Sequence, residues 1–191
     1  MATSRKPVIF TFLGIPGSGK TYFARNLAQK TATVRLSSDA MRLAIFGSLE
    51  GIAQAYNSDD REIVNTYTFG AIDYVVNELL SNGQDVVYDA HYNQRSKREE
   101  LEKIAQKNNA QLILIRINTP YNVALKRGQN REPAPDQRKL DEHHMREVIE
   151  RHRANTDEPL SSENVIDVSG EVPFDEQYKS FKESLKEYRS E

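Results

Sequence analysis

Cysteine is absent from this chain. That excludes a disulfide framework, a thiol nucleophile and a cysteine-ligated zinc site, and makes a reducing, cytoplasmic setting the default expectation. Nor is there a hydrophobic run long enough to cross a bilayer, which takes about 20 apolar residues. The first apolar stretch, Val8 to Leu13, stops at Gly14, and only Arg5 and Lys6 stand as charges before it. It reads neither as a signal peptide nor as a membrane anchor. Internal repeats and low-complexity tracts are missing too. The four histidines offer no H-x-x-x-H zinc pair: His143 and His144 are adjacent, and His152 lies well beyond them. Where a guanine reader would carry N-K-x-D, the chain has Ile117-Asn118-Thr119-Pro120, and no L-S-G-G-Q occurs. A GTPase and a transporter-type ATPase are both disfavoured.

What is present is an alternation. The 191 residues, 38% hydrophobic and 28% charged, suit one globular domain spanning 1–191. Apolar, β-rich runs stand at Val8–Leu13, Thr33–Leu36, Asp85–Asp89, Gln111–Ile117 and Asn164–Val168. Helical patterns lie between them. Ile63, Tyr67, Ile72, Val75, Val76 and Leu79 recur at helical steps, and Asn82-Gly83 stops that helix. Thr119-Pro120 opens another, and Phe174, Tyr178, Phe181, Leu185 and Tyr188 stripe a final one. Strands alternating with helices predict a parallel sheet covered on both faces, with ligands beyond the carboxyl ends of the strands. Every segment that carries chemistry follows a strand directly, so these segments should share one rim.

The strongest of them is Gly14-Ile15-Pro16-Gly17-Ser18-Gly19-Lys20-Thr21, which satisfies G-x-x-x-x-G-K-[ST] between a strand and a helix. Gly14, Pro16, Gly17, Ser18 and Gly19 would turn backbone N–H groups around a nucleotide's phosphates, with help from the helix N-terminus. Lys20 would reach the β- and γ-phosphates of a nucleoside triphosphate, and the Thr21 hydroxyl would hold Mg²⁺.

The remaining candidates are acids and arginines. Asp89 ends an apolar strand and is the metal-side carboxylate, unless it is a plain strand end. Asp39, after the second strand, can accept the proton of an attacking hydroxyl; Ser37-Ser38-Asp39 also reads as a helix cap with no chemistry. Arg42 lies three residues on, on the same helix face, to grip an anionic acceptor or to pair with Asp39. Arg127 and Arg131, four apart, can fold over the γ-phosphate as arginine fingers. They sit in or beside Arg127–Gln137, where Pro133 and Pro135 forbid a continuous helix and a lid is expected. Phe46–Asp60 lacks core periodicity and reads as a connection that could cover substrate. Between His91 and Arg153, basic residues outnumber acidic ones 14 to 9, which suggests an anionic ligand.

Together the phosphate loop, Ser38-Asp39-Ala40-Met41-Arg42, Val86 to Asn93, and Arg127 with Arg131 resemble the kinase module of phage-type polynucleotide kinases. That module belongs to a broader group of P-loop kinases that includes zeta toxins and small-molecule phosphotransferases. The resemblance covers about Val8 to Arg153. It implies a P-loop three-layer α/β sandwich with a five-stranded parallel sheet, a helical or loop lid, and a third strand beside the phosphate-loop strand. It implies Asp39 as base, Arg42 on the acceptor phosphate and Asp89–Asn93 as the D-[TG]-x-x-N segment, with Ala90 departing from that pattern. The expected activity is transfer of the γ-phosphate of ATP to the 5′-hydroxyl of a polynucleotide end, with Mg²⁺. A small-molecule acceptor and an ATPase without acceptor stay open, and the oligomeric state is not legible.

Overall fold

Strand β1 (Val8–Leu13) is buried along its whole length, and its alternation explains how. The computed structural model describes residues 5–58, 61–130, 132 and 141–189. In it Val8, Phe10 and Phe12 face one layer and Ile9 the other. A strand covered on both sides has no polar face to offer, which is why it reads as a continuous apolar run.

The other strands are β2 (Val34–Ser37), β3 (Val86–His91), β4 (Gln111–Asn118) and β5 (Val165–Ser169). All pairings are parallel, in the order β2-β3-β1-β4-β5. The five expected strands form, most with ends shifted by a residue, and the third does adjoin the first. Helices α1 (Lys20–Thr31) and α8 (Phe174–Arg189) cover one face, through Phe23, Leu27, Phe181 and Leu185. Helices α4 (Arg61–Ser81) and α5 (Arg95–Lys107) cover the other, through Ile72, Val76, Leu80 and Leu101. Each such fully buried side chain contributes about 1.5–3 kcal/mol. The result is the three-layer α/β sandwich expected.

Two helical insertions flank the carboxyl end of the sheet. Helices α2 (Ser38–Phe46) and α3 (Leu49–Asn57) sit on the β2 side. From Phe46 to Ser58 the expected connection is therefore largely helical; Asp59 and Asp60 lie outside the described residues. Ser48 caps α3 by accepting from the Gly51 N–H, and Ile52 is buried beneath it. Helices α6 (Tyr121–Asn130) and α7 (Glu142–Ala154) lie on the other side. They meet through Leu125, Met145 and Ile149, and Ile15 of the phosphate loop packs against that small core. Most of the expected lid, including Arg131, Pro133 and Pro135, lies outside the described residues. No helix among the described residues is long and apolar enough to cross a membrane.

One buried cation pins the rim. Arg98, 2% exposed, donates from Nη1 to the carbonyls of Tyr92 (3.2 Å) and Asn93 (2.9 Å) and pairs with Glu163 at 2.6 Å. Burial pushes the Glu163 carboxyl up, but hydrogen bonds from Arg98 and the Leu160 amide outweigh it and hold it below its ordinary value. Arg98→Met should strand two carbonyls and a half-buried carboxylate. We expect a loss of about 2–3 kcal/mol in denaturant unfolding, on the scale of a broken hydrogen-bonded network.

Candidate active site

The phosphate loop follows β1 and closes on itself. Ile15-Pro16-Gly17-Ser18 forms a turn in which the Ser18 N–H donates to the Ile15 carbonyl at 3.1 Å. Pro16 presets the first corner, and Gly17 takes φ +81° at the second, as a type II turn requires. Gly17 also has no room for a side chain, since a Cβ there would lie 2.2 Å from the Ala124 carbonyl oxygen of α6. Gly19 caps α1 in a left-handed conformation with no side-chain acceptor, and the first turn of α1 carries no acid. By contrast α2, α3 and α7 are capped by the side chains of Ser37, Ser48 and Asp141. The N-terminal N–H groups of α1 are thus left for an external anion. Lys20 is 7% exposed and donates to the carbonyls of Gly14 (2.7 Å) and Ile15 (2.9 Å), holding the loop shut.

Asp89 reaches this loop because β3 is irregular there. Phe10 pairs with Val87 but Phe12 with His91, so β3 bulges opposite Thr11, whose hydroxyl takes up the Tyr88 carbonyl at 3.2 Å. Bulges re-aim side chains beside functional sites. The Asp89 carboxylate divides its work: Oδ1 lies 3.4 Å from the Thr21 hydroxyl, which donates to it, and Oδ2 receives Arg35 through Nε (2.9 Å) and Nη2 (2.5 Å). Thr21 and Asp89 are therefore neighbours, as the metal reading needs. Among the described residues no cluster of three or more His, Asp or Glu could hold a metal ion by itself. The two oxygen donors fit Mg²⁺ of the kind that is held mainly by phosphate oxygens and water.

Asp39 opens α2, two residues past Ser37, which pairs with Asp89 in the sheet. The capping is done by Ser37, whose hydroxyl accepts from the Ala40 N–H at 3.3 Å. Asp39 is thereby spared that task; it receives Arg42 at 2.9 Å instead. Arg42 also donates to the Asn65 side-chain carbonyl at 3.4 Å and stacks over Phe69. Asn65 takes a second bond from the Tyr56 hydroxyl at 3.1 Å, so α3 and α4 fix the Asp39–Arg42 pair.

His91 and His152 occupy the ground between these groups, with ring centroids 4.8 Å apart. His91 keeps accessible surface but lies deep in the cleft. Burial lowers its pKa well below the ordinary histidine value, and the charges of Lys20, His152 and Arg42 push the same way. His152 is lowered by burial, Lys20 and Arg151. Lys20 and Arg42 both lie near enough to His91 for their charge to bear on it.

Arg127 and Asn93 are each held by a partner distant in the chain. Arg127 does not fold over the loop: its Nη1 donates to the Gly170 carbonyl at 2.6 Å, at the end of β5. Gly170 itself abuts the loop, since a Cβ there would lie 2.7 Å from the Ser18 carbonyl oxygen. Arg131 lies outside the described residues. Asn93 turns toward the phosphate loop, accepting from the Gly14 N–H at 3.4 Å and donating to Thr156 at 3.1 Å. Arg35, Asn65, Arg98 and Gly170 had no local sequence signal; each acts across the chain on a partner that no spacing rule reveals.

A family model described as an AAA domain matches residues 9–155. Solved structures resemble the chain along nearly its whole length. A gluconokinase from Sinorhizobium meliloti 1021 shares 18% identity at TM-score 0.65, covering 97% of this chain and 95% of that one. A sugar kinase from Janibacter sp. HTCC2649 shares 16% at TM-score 0.67, covering 94% and 95%. A shikimate kinase from Aquifex aeolicus vf5 shares 18% at TM-score 0.57, covering 93% and 96%. At these identities the likeness is one of fold. No curated relative matches by sequence.

Two outcomes follow from the geometry. Gly17→Ala, strained at its φ and driven against Ala124, should weaken ATP-analogue binding about tenfold or more in a fluorescence titration, with the far-UV spectrum unchanged. Both histidines resist protonation in the folded state, so stability should fall as pH drops below about 6.5. His152→Gln should flatten that slope in urea melts compared at neutral and mildly acid pH.

Proposed function

The chain belongs to the AAA domain family, and from that premise we propose that it is an ATP-dependent kinase whose acceptor is an alcohol on a small, polyhydroxylated molecule. The observation that carries this reading is the shared rim. The phosphate loop follows β1, Asp89 stands beside Thr21 at the end of β3, and Asp39, just past β2, pairs with Arg42, while His91 feels the charges of both Lys20 and Arg42.

In this reading the loop amides from Gly14 to Gly19 take the β- and γ-phosphates, and Lys20 exchanges the Gly14 and Ile15 carbonyls for phosphate oxygens. Thr21 and Asp89 would hold Mg²⁺, which would neutralise phosphate charge. Asp39 accepts the acceptor's hydroxyl proton as that oxygen bonds to the γ-phosphorus. The bond from that phosphorus to the bridging oxygen breaks, and ADP leaves with the electron pair. Arg42 meets charge on the acceptor or the transferred group. Arg127 must leave Gly170 to contribute, and Arg131 remains an expectation.

Two observations favour a small acceptor over a nucleic-acid end. The helices α2, α3 and α4 roof the Asp39 side, and a cavity of about 350 Å³ opens beside them, lined by Asn65, Phe69, His91, Tyr92, Gln94 and Lys97. That size suits a single small ligand. Part of the basic excess of the middle third is also met by acids outside it, and several more of its basic groups pair within it. Arg95 pairs with Glu99, Lys97 with Glu100, Arg98 with Glu163, Arg116 with Asp167 and Arg146 with Glu142. The names of the gluconokinase, sugar kinase and shikimate kinase of like fold point the same way.

The test is a radiolabel screen with γ-labelled ATP and Mg²⁺ against sugars, sugar acids, nucleosides and oligonucleotides. We expect label on a sugar-sized alcohol, at a rate nearly independent of salt. Asp39→Asn should lower kcat by about 10²–10⁴, the contribution of a general base, with ATP affinity retained. Label on oligonucleotides that fades with salt would overturn the small-acceptor reading. ATP hydrolysis without acceptor, indifferent to Asp39→Asn, would overturn the kinase reading itself.

A further inference from the structure

The Asp89 carboxylate is shared unequally, and Arg35 does the sharing. Both of its donors converge on one oxygen: Nε (2.9 Å) and Nη2 (2.5 Å) meet Oδ2. A guanidinium facing a carboxylate commonly spreads two donors over both oxygens, fork against fork. The other well-formed arginine pairs of this chain do so. Arg98 places Nε on Oε1 of Glu163 and Nη2 on Oε2, and Arg116 divides itself over the two oxygens of Asp167 in the same way. At Asp89, Oδ1 is left to the Thr21 hydroxyl.

The sheet imposes this approach. Arg35 pairs with Val87 across β2 and β3, and Ser37 with Asp89. Residues two apart on a strand share a face, so Arg35 lies one step behind Asp89, on the face where Val87 packs under α1. The residue directly opposite, Ser37, is occupied in capping α2. Asp89 is 7% exposed and the Arg35 side chain 19%, so water competes little for Oδ2.

Held this way, Asp89 offers a cation one oxygen instead of two. Divalent cations differ in what they accept. Mg²⁺ demands near-octahedral geometry, keeps several waters and needs few protein oxygens; Ca²⁺ gathers roughly six to eight oxygens and accepts a carboxylate through both of its own. We propose that Arg35 is a positioning residue that sets metal selectivity: by occupying Oδ2 it denies Ca²⁺ a two-oxygen grip on Asp89 and favours Mg²⁺ beside the nucleotide. This rests on the reading of Thr21 and Asp89 as the metal pair, and not on the identity of the acceptor.

The test is calorimetric binding of a non-hydrolysable ATP analogue to the full chain, with saturating Mg²⁺, with saturating Ca²⁺ and with a chelator. The unaltered chain should prefer the Mg²⁺ complex. Arg35→Met should narrow that preference about tenfold, the low end of what the partners of metal ligands control. Arg35→Lys, which keeps the charge and a donor for Oδ2, should retain most of it. Loss of charge alone would change both complexes by one factor, since both ions carry two charges. A Ca²⁺ to Mg²⁺ ratio unmoved by Arg35→Met therefore overturns the proposal, as does an unaltered chain with no preference. A ratio moved equally by Arg35→Lys and Arg35→Met assigns the effect to the packing of β2 and overturns it too. Asp89→Asn should weaken the Mg²⁺ complex; affinity indifferent to it would overturn the metal reading itself, and this inference with it.

Discussion

Everything at the carboxyl end of the sheet is arranged around the loop of backbone amides that opens α1. Gly19 supplies no side-chain cap to α1, and its first turn contains no acid. Lys20 clasps the loop's own carbonyls, which keeps the loop shaped. The rest of the rim is braced around this loop. Asn93 steadies Gly14, the Thr119 hydroxyl donates to the Ser18 carbonyl at 2.8 Å, and Gly170 closes in on the same carbonyl. Arg98, buried behind Asn93, ties the end of β3 to the segment that leads into β5.

The electrostatic design follows from the same constraint. Two histidines near the loop are lowered by burial first, and then by Lys20, with Arg42 adding to the effect at His91 and Arg151 at His152. The acids of the rim, Asp39 and Asp89, are each paired with an arginine from a neighbouring position of the fold. Positive charge is thus distributed around a space ready for a polyanion. Pairing with Arg35 orients Asp89 so that one oxygen remains toward Thr21.

Much of this was legible in the sequence because it is local. Apolar runs bounded by turn residues mark all five strands, and the G-x-x-x-x-G-K-T spacing marks the loop. Asp39 and Arg42 are three apart on one helix and do pair. What stayed hidden is non-local. Arg35 and Asp89 are 54 residues apart, and Arg98 and Glu163 are 65 apart; only the sheet order brings them together. Phe46–Asp60 looked irregular because Gly47, Ser48 and Gly51 dominate its start, yet Ser48 is the cap of a short helix. The basic middle third looked like an anion-binding surface because its neutralising acids include Glu163 and Asp167, which lie outside it. The lid arginines show a third limit. Spacing put Arg127 on a helix near the loop, but could not say that Gly170 would hold it.

The most direct measurement is a crystal structure of the chain with a non-hydrolysable ATP analogue, Mg²⁺ and the acceptor found to be turned over. The account predicts Lys20 on the terminal phosphates, the metal between Thr21 and Asp89, and an acceptor oxygen about 3–3.5 Å from the γ-phosphorus with Asp39 behind it. Phosphates bound anywhere but the Gly14–Thr21 loop, or Asp39 turned away from the acceptor, would contradict it.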